Sequence, residues 1–122
     1  MNHYLETFNR VKAHLLKQNA VAGMEMENGD FTCMYRAPDG KMCAVGCLIR
    51  PEQYEQDIEG KPIGGPRVDE ALAYSGITID DDMKMMLRSL QGVHDDISPK
   101  LWAEHIRFLE KRYKGLFTEG VY

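Results

Sequence analysis

From Asn2 to about Gln18, Leu5, Phe8, Val11, Leu15 and Leu16 recur at steps of three and four, while Glu6, Arg10, Lys12 and Lys17 fall elsewhere, so the stretch predicts an amphipathic helix. The period then lapses: Gly23 and Asn28-Gly29-Asp30 read as loop, with a turn at Asn28-Gly29 and a short extended piece around Met24 and Met26. Far downstream, Asp80 offers an N-cap with Asp81 and Asp82 in the first turn, and Met83, Met86, Leu87, Leu90 and His94 follow on one stripe. Ser98-Pro99 repeats the start signal for a last helix whose inward positions are Trp102, Ile106, Leu109 and Tyr113, flanked by Leu101 and Phe108. Between these, Pro51 to Gln56 suits a short helix, residues 59–67 (EGKPIGGPR) an irregular loop, and Asp69 to Ser75 a short helix stopped by Gly76. The tail after Gly115 reads as a loosely docked end.

Phe31 to Ile49 changes period. Ala37-Pro38-Asp39-Gly40 sets a fixed φ at Pro and permits a positive φ at Gly, the chemistry of a type I turn closed by a glycine bulge. Its flanks are expected to pair as a hairpin, with Ala37 facing Lys41, Tyr35 facing Cys43 and Cys33 facing Val45. Period-two alternation then puts Phe31, Cys33, Tyr35, Cys43, Val45 and Cys47 on one core-facing side. The expected fold is α+β: a mostly helical single domain, residues 1–122, packed on one β-hairpin.

Composition narrows the function classes. The 122 residues suffice for one core, and 43% hydrophobic with 28% charged residues is an ordinary globular balance. A formal net charge of −4 argues against a general phosphate-backbone binder. No stretch is long and apolar enough to span a bilayer and no signal-peptide pattern opens the chain, so a cytoplasmic location is expected. Three cysteines cannot all pair within one chain, and a reducing compartment favours thiols. A bond between Cys33 and Cys43, diagonal neighbours in the expected register, is stereochemically marginal.

Two kinds of chemistry can be read from the side chains. Cys33, Cys43, Cys47 and His94 have the composition of a tetrahedral zinc set. On a strand, however, Cys43 and Cys47 lie about 13 Å apart, too far to share an ion unless the segment turns helical. No metal or cofactor is therefore assigned. A thiol nucleophile, Cys43 or Cys33, with His94 as base and Asp95 orienting the imidazole, has the right residue types for covalent catalysis. A histidine on an apolar stripe and small thiols on a strand face also serve as plain core. Separately, Lys61 and Arg67 flank the glycines of the irregular loop, and Tyr35 and Arg36 lie beside the turn; together they suit an anion or nucleotide.

The residues Cys33-x-Tyr35-Arg36, Asp39-Gly40, Cys43-Ala44-Val45-Gly46-x-Leu48-Ile49, Tyr54, Glu59-Gly60 and Leu90-Gln91-x-x-His94-Asp95 resemble an uncharacterised family of small proteins of tailed bacteriophages and bacterial prophages. The likeness runs from about Cys33 to Asp95. It implies a phage origin and action in the host-cell cytoplasm, and brings no mechanism. By analogy with other small phage accessory proteins, it implies binding to, and inhibition of, a host or anti-phage defence component without catalysis. A cysteine/histidine enzyme and a small-ligand or nucleotide sequestering protein are the alternatives.

Overall fold

The computed structural model describes residues 2–118. The chain runs through α1 (His3–Gln18), β1 (Gly23–Glu25), β2 (Phe31–Cys33), α2 (Pro66–Tyr74), α3 (Asp81–Asp96), α4 (Trp102–Arg112) and α5 (Lys114–Phe117), with 3-10 turns at Gly46–Leu48, Pro51–Gln53, Gln56–Ile58 and Pro99–Leu101. It is a mostly helical α+β fold carrying one two-stranded antiparallel hairpin.

The helices form where the apolar period placed them. In α1 the fully buried positions are Phe8, Val11 and Leu15, with Tyr4 and Thr7 also inside, whereas Leu16 remains 39% exposed. Asn2 caps it, its side-chain oxygen accepting from the N–H groups of Tyr4 (2.8 Å) and Leu5 (3.1 Å). In α3, Met83, Met86, Leu87, Leu90 and His94 are all completely buried. Asp80 caps α3 through the Met83 N–H (2.8 Å), and its other carboxyl oxygen accepts from Tyr4 OH (2.5 Å), tying the start of α3 to α1. In α4, Trp102 and Ile106 are sealed and Leu109 and Tyr113 nearly so, with the Trp102 indole donating to Ile97 O (2.8 Å). The turn at Gly76 is a Schellman closure of α2: Gly76 N–H meets Ala73 O, Ile77 N–H meets Leu72 O, and Gly76 takes φ +90°. α2 begins at Pro66, three residues earlier than expected, with proline in the first turn. The end of the chain is docked more firmly than its composition suggests, since Phe117 packs on Phe8 (5.2 Å between ring centroids) and Asn2 Nδ2 donates to Leu116 O. Residues 119–122 of that tail lie outside the described residues.

The hairpin is not the one expected. At Pro38-Asp39-Gly40 the turn forms as read: Ala37 N–H reaches Lys41 O (2.8 Å), Gly40 takes φ +92° and Cys43 N–H reaches Tyr35 O (3.1 Å). Pairing stops there, because the next N–H the ladder needs, that of Val45, finds another partner, while the outward backbone of Met42, which still faces Arg36, is met from α1. The Gln18 carboxamide closes on Met42 from both sides, accepting from its N–H (3.0 Å) and donating to its carbonyl (2.9 Å), and Gln91 Oε1 takes the Val45 N–H (3.1 Å). The chain then coils through Gly46–Leu48, so Cys33 does not face Val45. Gly46 sits so close to Tyr35 that an added Cβ would lie 2.0 Å from its carbonyl oxygen. β2 pairs instead with β1 (Gly23 with Cys33, Met24 with Thr32, Glu25 with Phe31) across a loop in which Asp30 N–H bonds Asn28 Oδ1 and Gly29 takes φ +87°. The single thiol-bearing face therefore does not form, and Phe31 is 57% exposed.

Because the clash at Gly46 is with backbone, Gly46→Ala is expected to cost about 2–3 kcal/mol. Gly92→Ala in α3 meets nothing within 4 Å and is expected to be neutral or to stabilise by up to about 1 kcal/mol. Urea denaturation of the two variants measures the difference; equal midpoints would contradict the close packing of Gly46 on Tyr35.

Candidate functional site

Loop 33–46, loop 59–63 and the last turns of α3 converge on a cleft of about 270 Å³ whose wall includes Cys33, Tyr35, Cys43, Lys61, Gln91 and Asp95. Two carboxylates hold that wall. Glu59 reaches in from the glycine-rich loop: Oε1 accepts from Tyr35 N–H (2.8 Å), and Oε2 from Arg36 N–H (3.0 Å) and Tyr54 OH (2.7 Å). Tyr35 OH in turn donates to Lys61 O (2.5 Å), so the loop is fastened to the 35–36 backbone through Glu59 and to the Tyr35 side chain through Lys61. Asp95 Oδ1 accepts from Gln91 Nε2 (2.9 Å) and from His94 Nδ1 (2.8 Å). Burial pushes the Asp95 carboxyl up, but the donors from His94 and Gln91 outweigh it and hold the group below the usual carboxylate range.

The imidazole of His94 is fully buried, and its Nε2 accepts the Ala22 N–H (2.9 Å). A backbone N–H can only donate, so Nε2 carries the lone pair and the ring proton resides on Nδ1, facing Asp95. Cys33, His94 and Asp95 do meet, with one ligand atom of each lying within 4.8 Å of the others. Their order, however, is the reverse of an activated-thiol centre. In such a centre the base takes the thiol proton and the carboxylate stands behind the base. Here both nitrogens of the base are engaged, and the Cys33 thiol hydrogen-bonds to the carboxylate itself. Burial, then the Asp95 charge and the bond to it, then Asp96, push the Cys33 thiol up to about 11. The same wiring denies a metal ion its nitrogen ligand, because the lone pair on Nε2 is already used.

The other expected site residues divide. Cys43 is 1% exposed, its sulfur accepts the Gly46 N–H (3.3 Å), and burial raises it to about 12 despite that donor. Cys47 donates to Ala44 O (3.1 Å) and burial likewise raises it to about 12. The segment between them does turn helical, Cys47 N–H reaching Cys43 O, yet neither sulfur joins His94 in a metal-ligating group among the described residues. All three thiols are free. Tyr35 and Lys61 line the cleft; Arg36 and Arg67 do not. Arg36 donates to Ile49 O (2.5 Å) and lies over the Tyr54 ring at 5.2 Å, while Arg67 pairs with Asp57 (3.2 Å). No four-residue anion cradle is therefore assembled.

Glu59, Tyr54 and Gln91 are not singled out by their chemistry in the sequence, although all three fall among the residues quoted for the resemblance. Nothing local marks them, since each acts on backbone or a side chain delivered by a distant or irregular segment. Compared with protein-family models, curated proteins and solved structures, the chain matches none.

Thiol labelling at neutral pH is expected to be slow at all three cysteines, with no further slowing at Cys33 in His94→Ala. Asp95→Asn removes a raising charge and is expected to speed Cys33 labelling by up to about tenfold, the effect of one pKa unit; fast wild-type labelling abolished by His94→Ala would restore the nucleophile. A second expectation concerns alkali. The folded chain keeps the Cys33, Cys43 and Cys47 protons to about 11, 12 and 12, whereas the ordinary thiol releases its proton near 9.0. The native state thus binds more protons over that interval, and stability that is complete below about pH 9 should fall as pH rises toward 11. A urea midpoint unchanged from pH 8.5 to 10.5 would contradict it.

Proposed function

We propose that this chain is a small phage-type accessory protein that binds and inhibits a bacterial host or defence component and catalyses no reaction. The observation that carries the reading is the β1–β2 hairpin, which holds Met24 (40% exposed) and Met26 (45%) in solvent on one face and Phe31 (57%) in solvent on the other. Exposed apolar groups clustered on one projection are the usual mark of a binding surface, and methionine adapts its shape to a partner. Between Asn19 and Tyr35 the chain carries Glu25, Glu27 and Asp30 and no Lys, Arg or His. The hairpin segment thus combines exposed apolar groups with acidic side chains only, and its charge complement is a bacterial protein offering an apolar groove bordered by Lys and Arg.

The wiring of His94 supports the absence of catalysis, since neither ring nitrogen is left to take a proton from a thiol. Binding needs only a stable surface, and the hairpin is held at its base by the Ala22–His94 bond and by Met34 N–H on Ala22 O (3.0 Å).

The test is affinity capture from bacterial lysate, followed by reconstitution with the purified candidate. One partner is expected to bind the wild-type chain, to bind at least tenfold more weakly to Met24→Ser/Met26→Ser, and to lose affinity in Glu25→Lys/Glu27→Lys and with added salt. Both methionines are exposed, so circular dichroism should be unchanged. A reconstituted partner held equally by both variants would overturn the hairpin as the surface; turnover of any substrate that depends on Cys33 would overturn the non-catalytic reading.

A further inference from the structure

The cleft between loops 33–46 and 59–63 has a feature that partner binding through the hairpin does not use. Its polar wall is almost entirely paired within the chain. Both Glu59 oxygens are taken by Tyr35 N–H, Arg36 N–H and Tyr54 OH; Tyr35 OH is spent on Lys61 O; and Gln91 is spent on Val45 N–H and Asp95. At Asp95 both nitrogen donors go to Oδ1. A carboxylate has about four lone-pair positions, and among the described residues no N–H donor reaches Oδ2, the Cys33 thiol being the one further donor to this carboxylate. The Asp95 side chain is 35% exposed and lines the cleft, within reach of a small molecule.

We propose that this cleft binds a small organic cation bearing an ammonium or amidinium head, with Asp95 Oδ2 as its counter-ion. Three observations converge on that chemistry. First, the acceptor is preorganised: Gln91 and the buried His94 fix the carboxylate before a ligand arrives, which lowers the cost of ordering it on binding. Second, the rest of the wall is suited to the carbon body of such a ligand, because Met34, Ile63 and Pro62 line it beside the thiols of Cys33 and Cys43. Third, the volume of about 270 Å³ lies just below the range of roughly 300–1,000 Å³ usual for drug-sized ligands, so the occupant is a compact amine and not a nucleotide. Among the described residues, Lys61 is the cation on the wall, exposed and in no ion pair. It repels a cationic ligand weakly through water, and removing it should strengthen binding.

Calorimetric titration with agmatine and with benzamidine, at low ionic strength, tests the site, with adenosine monophosphate as the anionic comparison. Saturable binding of at least one cation is expected, weakened tenfold or more in Asp95→Asn and strengthened two- to fivefold in Lys61→Gln. Because Asp95→Asn also disturbs His94, Ile63→Trp, which fills the cleft from its edge, supplies a second variant and is expected to abolish the same signal. No saturable binding of either cation, or cation binding indifferent to both Asp95→Asn and Ile63→Trp, would overturn the proposal. So would binding of adenosine monophosphate alone with loss in Lys61→Gln. None of these outcomes depends on Met24 or Met26, so they are independent of the hairpin's partner.

Discussion

A single backbone N–H, that of Ala22, donating to the buried Nε2 of His94 decides the chemistry of the centre. Left unmet inside the protein, that donor would cost about 1–3 kcal/mol, so the imidazole is committed to it. The commitment fixes the proton on Nδ1, which fixes the bond to Asp95. Asp95 in turn holds Gln91, and Gln91 holds Val45 at the point where the chain leaves Tyr35. A run of four hydrogen bonds through five residues thereby fastens the hairpin base, α3 and the coiled segment after Cys43 to one another. Histidine acts here as a structural acceptor, and its neighbours inherit their orientation from it.

That dependence also explains why proximity of Cys33, His94 and Asp95 does not amount to a catalytic triad. The three groups are close, but a thiolate needs a nearby positive charge or a free base. Cys33 instead finds two carboxylates, Asp95 and Asp96, and partial burial, all of which favour the protonated thiol. Residue type and distance are satisfied while proton direction is not. The same lesson applies to Arg36 and Arg67, whose charges are turned to Ile49, Tyr54 and Asp57 before any ligand is considered.

The helices were legible in the sequence because their burial has a period that the chain spells out: every position on the α3 stripe from Met83 to His94 is sealed. The turn at Pro38-Asp39-Gly40 was legible for the same local reason, down to the Tyr35–Cys43 pair. What was not legible was the strand beyond it. A turn proposes a hairpin, but the ladder requires that the following N–H groups have no better partner, and here the Gln91 carboxamide takes that of Val45 from 46 residues away. The sequence held two turns of similar chemistry, each with a glycine at positive φ, and distant packing chose the one at Gly29 for the pairing. Of the candidate site, Cys33, His94 and Asp95 were brought together as expected from the stripe that carries His94, whereas Cys43 was drawn into the core. Glu59 could not have been found by period or motif chemistry, since its role exists only once Tyr35, Arg36 and Tyr54 have been delivered to it.

A hairpin of two three-residue strands is too short to be stable alone in water, so its order must be supplied from its base. Ala22 supplies it twice, donating to His94 and accepting from Met34 N–H. Further out, the Phe31 ring lies across Gly23, where any Cβ would meet both the ring and the Thr32 carbonyl; an aromatic group thus covers the one position without a side chain. Among the described residues Met24 and Met26 stand outside the core cluster, where their side chains can meet another surface. The base of the hairpin is thus ordered from one buried imidazole, and Met24 and Met26 extend from that base into solvent.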